Sequence, residues 1–298
     1  MKPRIVVVGM GEIGQALSAV LKAAHADISA WDICPGKVSG QKSLFEIVPR
    51  ADYLFFCVPS WCMPAALTST TPFIHKNTVV ITVSKGLQQE TGETAYDLLA
   101  RTLHDRQPIA LMSGAMLAEE LLGGLPGFGV AASTRAEVRA RILDLFKRSH
   151  VHLEGSNDVR GVSFAGVLKN VYALGLGIAH GLKWGGNARA KFAISAVHEM
   201  ERLLPIFGGK RQTTYGNSGA VDLVATGYSP FSKNVEVGAM LIKKRKTPPS
   251  EGLVSLTPLM KLLPKREQGQ FKLLSAVHRV AIKGESAREV FDSLLKQL

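Results

Sequence analysis

Short, unbroken apolar runs alternate with helix-period stretches through the first half of the chain, and past about Gly155 the runs stop. They read as strands at Arg4–Val8, Asp27–Trp31, Tyr53–Cys57, Val79–Val83, Pro108–Met112, Gly127–Ala132 and, last, near Val151–Leu153. Their apolar residues are consecutive rather than alternate, the pattern of parallel strands covered on both faces. Helical periods fall between them at Gly14–Ala24, Thr94–Leu103 and Ala136–Lys147. Thr134 with Glu137 predicts a capping box at the start of the third, each side chain satisfying a free amide of the other residue. This rhythm predicts an α/β fold with a doubly wound parallel sheet. Beyond it, Val162–His180, Asn187–Phe207, Asn234–Arg245, Glu251–Leu262, Gln268–Lys283 and Ser286–Gln297 all suit helices, the last opening on a second capping-box pattern, Ser286 to Glu289. The expected division is a sheet domain over 1–155 and an all-helical domain over 156–298. The cleft between them, at the carboxyl ends of the strands, is where a site is expected.

Composition fits that division: 298 residues, 46% hydrophobic and 20% charged, are ordinary for a globular chain with a sizeable core. The uncharged stretch from Tyr53 to Ile74 is broken by Pro59, Pro64 and Pro72, so no membrane insertion is expected there. Lys2 and Arg4 before Ile5–Val8 mimic a secretion signal, but Glu12 cuts the apolar run short. Cys34, Cys57 and Cys62 have neither redox nor zinc spacing, which fits a reducing cytoplasm. The eight histidines form no metal spacing, so no metal is expected. The net charge of +12 changes the picture more. It fits either a nucleic acid or membrane surface, or a funnel for an anionic substrate and anionic cofactor. The basic residues are scattered except for Lys243-Lys244-Arg245-Lys246, which reads as a cationic helix end before Pro248-Pro249.

The sharpest motif is Gly9-Met10-Gly11-Glu12-Ile13-Gly14, after the first strand and opening the first helix. Gly9 permits the tight turn, Gly11 lets backbone approach a diphosphate, and Gly14 lets the helix pack close to the sheet. The diphosphate then rests on free N–H groups at the helix N-terminus. Asp32 ends the second strand where the adenosine ribose is expected. A carboxylate there accepts from a 2′-hydroxyl and repels a 2′-phosphate, which favours NAD over NADP. The expected cofactor contacts in this motif are Gly9, Gly11, Glu12, Ile13, Gly14 and Asp32.

Two lysines stand where the pattern does not call for charge. Ser84-Lys85-Gly86 follows the fourth strand on the same edge as the glycine loop, and reads equally as a solvated turn. Lys169 lies on a helix that is apolar nearly all round, with Ala165, Gly166, Tyr172 and Ala173 one turn away. An ammonium there must face a cleft, meet a carboxylate or titrate low, unless it snorkels to the surface. A lysine of lowered pKa is suited to protonate a carbonyl oxygen. Asp222, in a glycine-rich and apolar segment, is the obvious partner, although it could also be a helix cap. Thr226, Lys233 and Asn234 supply donors suited to a phosphate.

In order, the glycine motif, Cys57-Val58-Pro59-Ser60, Ser84-Lys85-Gly86, Ser113-Gly114, Gly166-Val167-Leu168-Lys169-Asn170, Asn187-Ala188-Arg189, Glu199, Asp222-Leu223-Val224, Ser232-Lys233-Asn234 and Glu251-Gly252 span nearly the whole chain. Together they resemble the NAD-dependent glycerol-3-phosphate dehydrogenase family. The resemblance implies a Rossmann-type domain joined to a helical domain of the 6-phosphogluconate-dehydrogenase C-terminal type, commonly as a homodimer. It implies hydride transfer between NAD and sn-glycerol 3-phosphate or dihydroxyacetone phosphate, with Lys169, Lys85 and Asp222 catalytic. It further implies Pro59, Ser60, Lys233 and Glu251 at the cofactor, and Lys85, Lys169, Asn170, Asp222, Thr226, Lys233 and Asn234 at a small phosphorylated substrate. Three segments depart from the family pattern. The family's serine-glycine-proline segment with its phenylalanine-alanine pair is here Ser113-Gly114-Ala115-Met116-Leu117-Ala118-Glu119-Glu120. Lys233 replaces an arginine, and Trp61-Cys62-Met63-Pro64 lacks a downstream arginine. Two other readings stand beside this one: a hydroxyacid or ketopantoate-type reductase with another anionic substrate, and a non-catalytic dinucleotide-binding protein with nucleic acid on its basic surface. Retention of Lys85, Lys169 and Asp222 together argues against the last.

Overall fold

A computed structural model gives the protein's structure and describes residues 2–243 and 247–298. Seven strands form one sheet: β1 Arg4–Val8, β2 Asp27–Trp31, β3 Tyr53–Phe56, β4 Val79–Thr82, β5 Ile109–Ala115, β6 Gly127–Ala132 and β7 Val151–Ser156. Their order is β2-β1-β3-β4-β5-β6-β7. The helices of this half are α1 Glu12–Ala23, α2 Leu44–Ile47, α3 Met63–Thr70, α4 Ala95–Thr102, α5 Ala118–Leu122 and α6 Ala136–Phe146. They cover both faces, so the apolar runs are buried twice over. Ile5, Val7, Phe55 and Ile81 pack on one side, and Val6, Val8, Leu54, Phe56 and Val80 on the other.

The sheet is not wholly parallel as expected: β6 runs antiparallel to β5, pairing Leu111 with Ala132 and Ala115 with Phe128. The link from Ala115 to Gly127 holds only the short α5, and a parallel return needs a crossover of about a dozen residues or more. β5 also runs further than expected. It carries Ser113 and Gly114 into the sheet, with Gly114 at φ +135° and packed against Gly129 and the Phe128 carbonyl.

The second half is helical: α7 Val159–Gly181, α8 Gly186–Ile206, α9 Asp222–Tyr228, α10 Lys233–Leu241, α11 Glu251–Leu262, α12 Lys265–Gln268, α13 Lys272–Ala281 and α14 Ala287–Leu295. α7 is its axis, and Phe164, Leu168, Val171, Tyr172, Leu174, Leu176 and Ile178 are all buried among its neighbours. By length and composition α7 could cross a membrane, but its apolar window is entirely buried inside the protein. Gly177 and Gly238 let α7 and α10 touch backbone to backbone. A methyl group on Gly177 would strike the Val235 carbonyl, and one on Gly238 the Leu174 carbonyl.

The Thr134 capping box does not form. Helix α6 is preceded by Arg135, whose guanidinium takes Glu137, while Ser133 accepts the Arg135 amide. Ser286 does cap α14, accepting from the Glu289 amide. Complete boxes occur at Ser43–Glu46 and Thr94–Asp97. The basic run expected to end a helix falls, from residue 244 to 246, outside the described residues, and α10 ends at Leu241.

Candidate active site

The carboxyl ends of β1, β3 and β4 and the amino-terminal ends of α10 and α11 border a cleft of about 410 Å³. Gly11, Glu12, Pro59, Lys85, Lys169, Asn170, Thr226, Lys233, Asn234 and Glu251 all line it, together with Trp61, Met116 and Phe231. Sequence thus brings most of its candidates to one place.

On the sheet side the glycines act as their spacing implies. Gly9 sits at φ +97°, and a side chain there would strike the Cys57 carbonyl. Gly14 lies under the Gly9 carbonyl, with no room for a methyl group. Gly11 faces open space, and among the described residues no side chain caps the first turn of α1. That combination of open backbone and free helix end fits a diphosphate. Asp32 is nearly buried, and its carboxylate is already engaged: Oδ2 accepts from the Met10 amide at 2.6 Å and Oδ1 from the Cys34 amide at 2.8 Å. Burial opposes ionisation of Asp32, yet those two amides and Lys37 outweigh it and hold the carboxyl below its usual range. Asp32 therefore shapes the glycine loop as well as standing where a ribose is expected.

Ser60, expected at the cofactor, is engaged by Glu251, which is expected there too and lines the cleft. Ser60 is fully buried, and its amide and hydroxyl both donate to Glu251, at 2.8 and 2.7 Å. Its carbonyl accepts from the Gln88 amide nitrogen at 2.6 Å. Glu251 thereby ties the start of α11 to the loop after β3. Burial pushes its carboxyl up, against the pull of the Ser60 hydrogen bonds and of Lys169 and Lys85.

The centre is a buried ion cluster. Lys85 Nζ donates to Asp222 Oδ2 and to the Gly114 carbonyl, both at 2.8 Å. Lys169 Nζ lies 3.0 Å from Asp222 Oδ1 and donates to Thr226 Oγ1 at 2.8 Å. Thr226 in turn gives its proton to Asp222 Oδ1 at 3.1 Å. One carboxylate thus holds two ammonium groups, one from each half of the chain. Among the described residues each ammonium has two such partners, which leaves one of its three N–H bonds. Lys169 is 5% exposed and Asp222 1%. Burial and the neighbouring Lys85 bring the Lys169 pKa down to about 8, although Asp222 pulls the other way. Burial alone would raise Asp222, but the two lysines hold it ionised and below the ordinary carboxylate value. Asp222 is no helix cap; it is the first residue of α9, after a wide π turn at Asn217–Val221.

The Lys85 loop is fixed through its backbone. The Asn170 amide nitrogen donates to the Lys85 carbonyl at 3.0 Å, and Ser255 Oγ accepts from the Leu87 amide at 3.1 Å. Asn234 donates to Asn170 Oδ1 and accepts from the Gly252 amide, both at 2.9 Å. Asn170 and Asn234, expected on a phosphate, link α7, α10 and α11 to the Lys85 loop. Sequence reading missed the Gly114 carbonyl, Gln88 and Ser255. Backbone acceptors carry no side-chain signal, and lone polar residues in apolar segments give little.

Comparison with known proteins settles the family. The pattern described as NAD-dependent glycerol-3-phosphate dehydrogenase N-terminus matches residues 32–139, and that described as the C-terminus of the same enzyme matches residues 158–292. The chain belongs to this family. A glycerol-3-phosphate dehydrogenase [NAD(P)+] of Rhizobium etli is 32% identical over 85% of this chain and 84% of its own length. One from Gloeobacter violaceus is 33% identical over 79% of this chain and 75% of its own. The crystal structure of the glycerol-3-phosphate dehydrogenase of Coxiella burnetii superposes with a TM-score of 0.88 at 25% identity, covering 99% of both chains. The fold class, the dehydrogenase activity and the NAD cofactor read from sequence are those of the family. The reductase and non-catalytic alternatives are not favoured.

Proposed function

We propose that the cleft interconverts sn-glycerol 3-phosphate and dihydroxyacetone phosphate, with Lys169 as the acid–base group. The observation that carries this reading is the pair of ammonium groups anchored on opposite oxygens of Asp222. NAD, when bound, supplies the hydride acceptor or donor for the substrate's C2 carbon. The chain does the rest. In reduction, negative charge develops on the C2 oxygen, and the remaining N–H bonds of Lys169 and Lys85 are the donors that meet it. Lys169 then gives its proton: the N–H bond breaks, the O–H bond forms, and the electron pair stays on Nζ. A pKa of about 8 keeps Lys169 mostly protonated at neutral pH while making it a better acid than an ordinary lysine. Asp222 and Thr226 fix its direction, and the permanent charge on Asp222 offsets the cost of keeping two cations out of water.

The substrate phosphate is assigned to the start of α10, where Lys233 and Asn234 border the cleft with Asn170 and Thr226 nearby. Lys233 keeps the charge of the family's arginine but offers a point contact rather than a planar fork. Pro59 and Glu251 stand on the cofactor side of the same cleft. In this reading residues 1–155 hold the dinucleotide and residues 156–298 the substrate. A homodimer is proposed from the resemblance, and the exposed stripe Val221, Val224 and Tyr228 offers it an apolar face. Light scattering after gel filtration checks that assembly. A cytoplasmic site is proposed because all three cysteines are free, Cys34 being exposed.

The test is oxidation of NADH, followed by its absorbance, with dihydroxyacetone phosphate and a panel of unphosphorylated and carboxylated ketones. Turnover with the phosphate is expected to exceed the rest. Turnover only with a keto acid would move the substrate assignment while leaving the lysine chemistry in place.

A further inference from the structure

Two opposite charges face each other across the mouth of the cleft. Glu12 opens α1 and Lys233 opens α10, and Glu12 Oε1 lies 2.8 Å from Lys233 Nζ. Both border the cleft, and their side chains are 56% and 65% exposed. An ion pair so exposed is weak and exchanges readily for another partner. Its location is what gives it a role. The first turn of α1 is uncapped and fits a diphosphate, and a carboxylate on that turn competes with any other anion for the same helix end.

We infer that Glu12 is a built-in competitor for Lys233, and that a diphosphate on α1 releases the lysine to the substrate phosphate. The inference rests on the proposed placement of the substrate phosphate at Lys233. With α1 unliganded, Glu12 is paired with Lys233, and an arriving phosphate must displace it. A diphosphate on the same turn repels the Glu12 carboxylate and weakens its hold on Lys233. Phosphate affinity is then higher in the cofactor-loaded protein. By linkage, phosphate raises cofactor affinity by the same factor. The size of that coupling is set by one surface residue outside the buried ion cluster.

Inorganic phosphate is the probe, and phosphorus NMR or calorimetry reads its affinity in free and NADH-loaded protein without requiring turnover. In the unmodified protein, loading is expected to tighten phosphate about two- to fivefold, the range that an exposed ion pair supplies. Glu12→Gln is expected to tighten phosphate by that factor in the free protein and to remove the gain on loading. Equal phosphate affinity in free and loaded unmodified protein overturns the inference, and so does full coupling retained in Glu12→Gln. Lys233→Ala separates the two levels of the argument. Unchanged phosphate affinity in that variant overturns the placement of the phosphate itself. A loss there, with coupling unaffected by Glu12→Gln, overturns only the competition.

Discussion

Lys169 reaches the cleft from a helix with hardly a polar neighbour, and it keeps its charge only because Asp222 lies 3.0 Å away. Reduction uses the protonated lysine, so reductive turnover is expected to fall as pH rises through about 8, while oxidative turnover rises across the same range. A pH profile of each direction checks the sign. Lys169→Ala is expected to abolish turnover yet still bind NADH, measurable by nicotinamide fluorescence; an active variant would remove Lys169 from the mechanism. Asp222→Asn leaves two buried ammonium groups without their counter-charge. It is expected to lose about 3–5 kcal/mol in denaturant unfolding and to move the reductive pH limb lower. Asp32→Arg is expected to favour NADP over NAD, but to weaken both, because the Met10 and Cys34 amides lose their acceptor. The pairing of Lys85 and Lys169 with Asp222 was legible in the sequence because charge in an apolar stretch needs a partner. The bond from Ser60 to Glu251 was not legible, since nothing in Val58-Pro59-Ser60 reveals a glutamate arriving from α11.

At the scale of elements, the crossing of α7 over α10 sets how the residues lining the cleft meet. The two helices approach closely enough for Asn170 to meet Asn234 only because Gly177 and Gly238 lack side chains. Gly177→Ala pushes against the Val235 backbone, an overpacking that costs about 1–3 kcal/mol or more. Thermal unfolding is expected to show that loss, and the KM for the phosphorylated substrate is expected to rise as Asn234 is displaced. Strand positions were legible because doubly buried strands are apolar without interruption. The reversal of β6 was not, since an apolar run has no direction and the length of its connector decides. The Thr134 cap failed for a similar reason: Ser133 and Arg135 offered competing partners one residue away.

Over the whole molecule, the net charge is +12, and the cleft holds the uncapped start of α1 together with Lys85, Lys169 and Lys233, which suits an anionic ligand. Association of an anionic substrate is expected to slow with ionic strength, seen as a rising KM at constant kcat in a salt series. Sequence could report the charge but not its focus. Lys85 from the first half of the chain and Lys169 and Lys233 from the second meet at the cleft only once the two are folded together. The two-part architecture itself was legible, because strand-like runs end where the helical periods take over.

Helix α7 also bears on how the protein is made. Its 18-residue window has a mean hydropathy of 1.4, and the helices that cover it, α8, α9, α10, α11 and α13, all follow it in the chain. A ribosome therefore releases a segment with the credentials of a membrane anchor well before its shelter has been synthesised. Through that interval α7 is an exposed apolar segment, of the kind that makes a partly folded chain prone to aggregate. The helix that carries Lys169 is thus also the one that, among the described residues, is long and apolar enough to need that shelter.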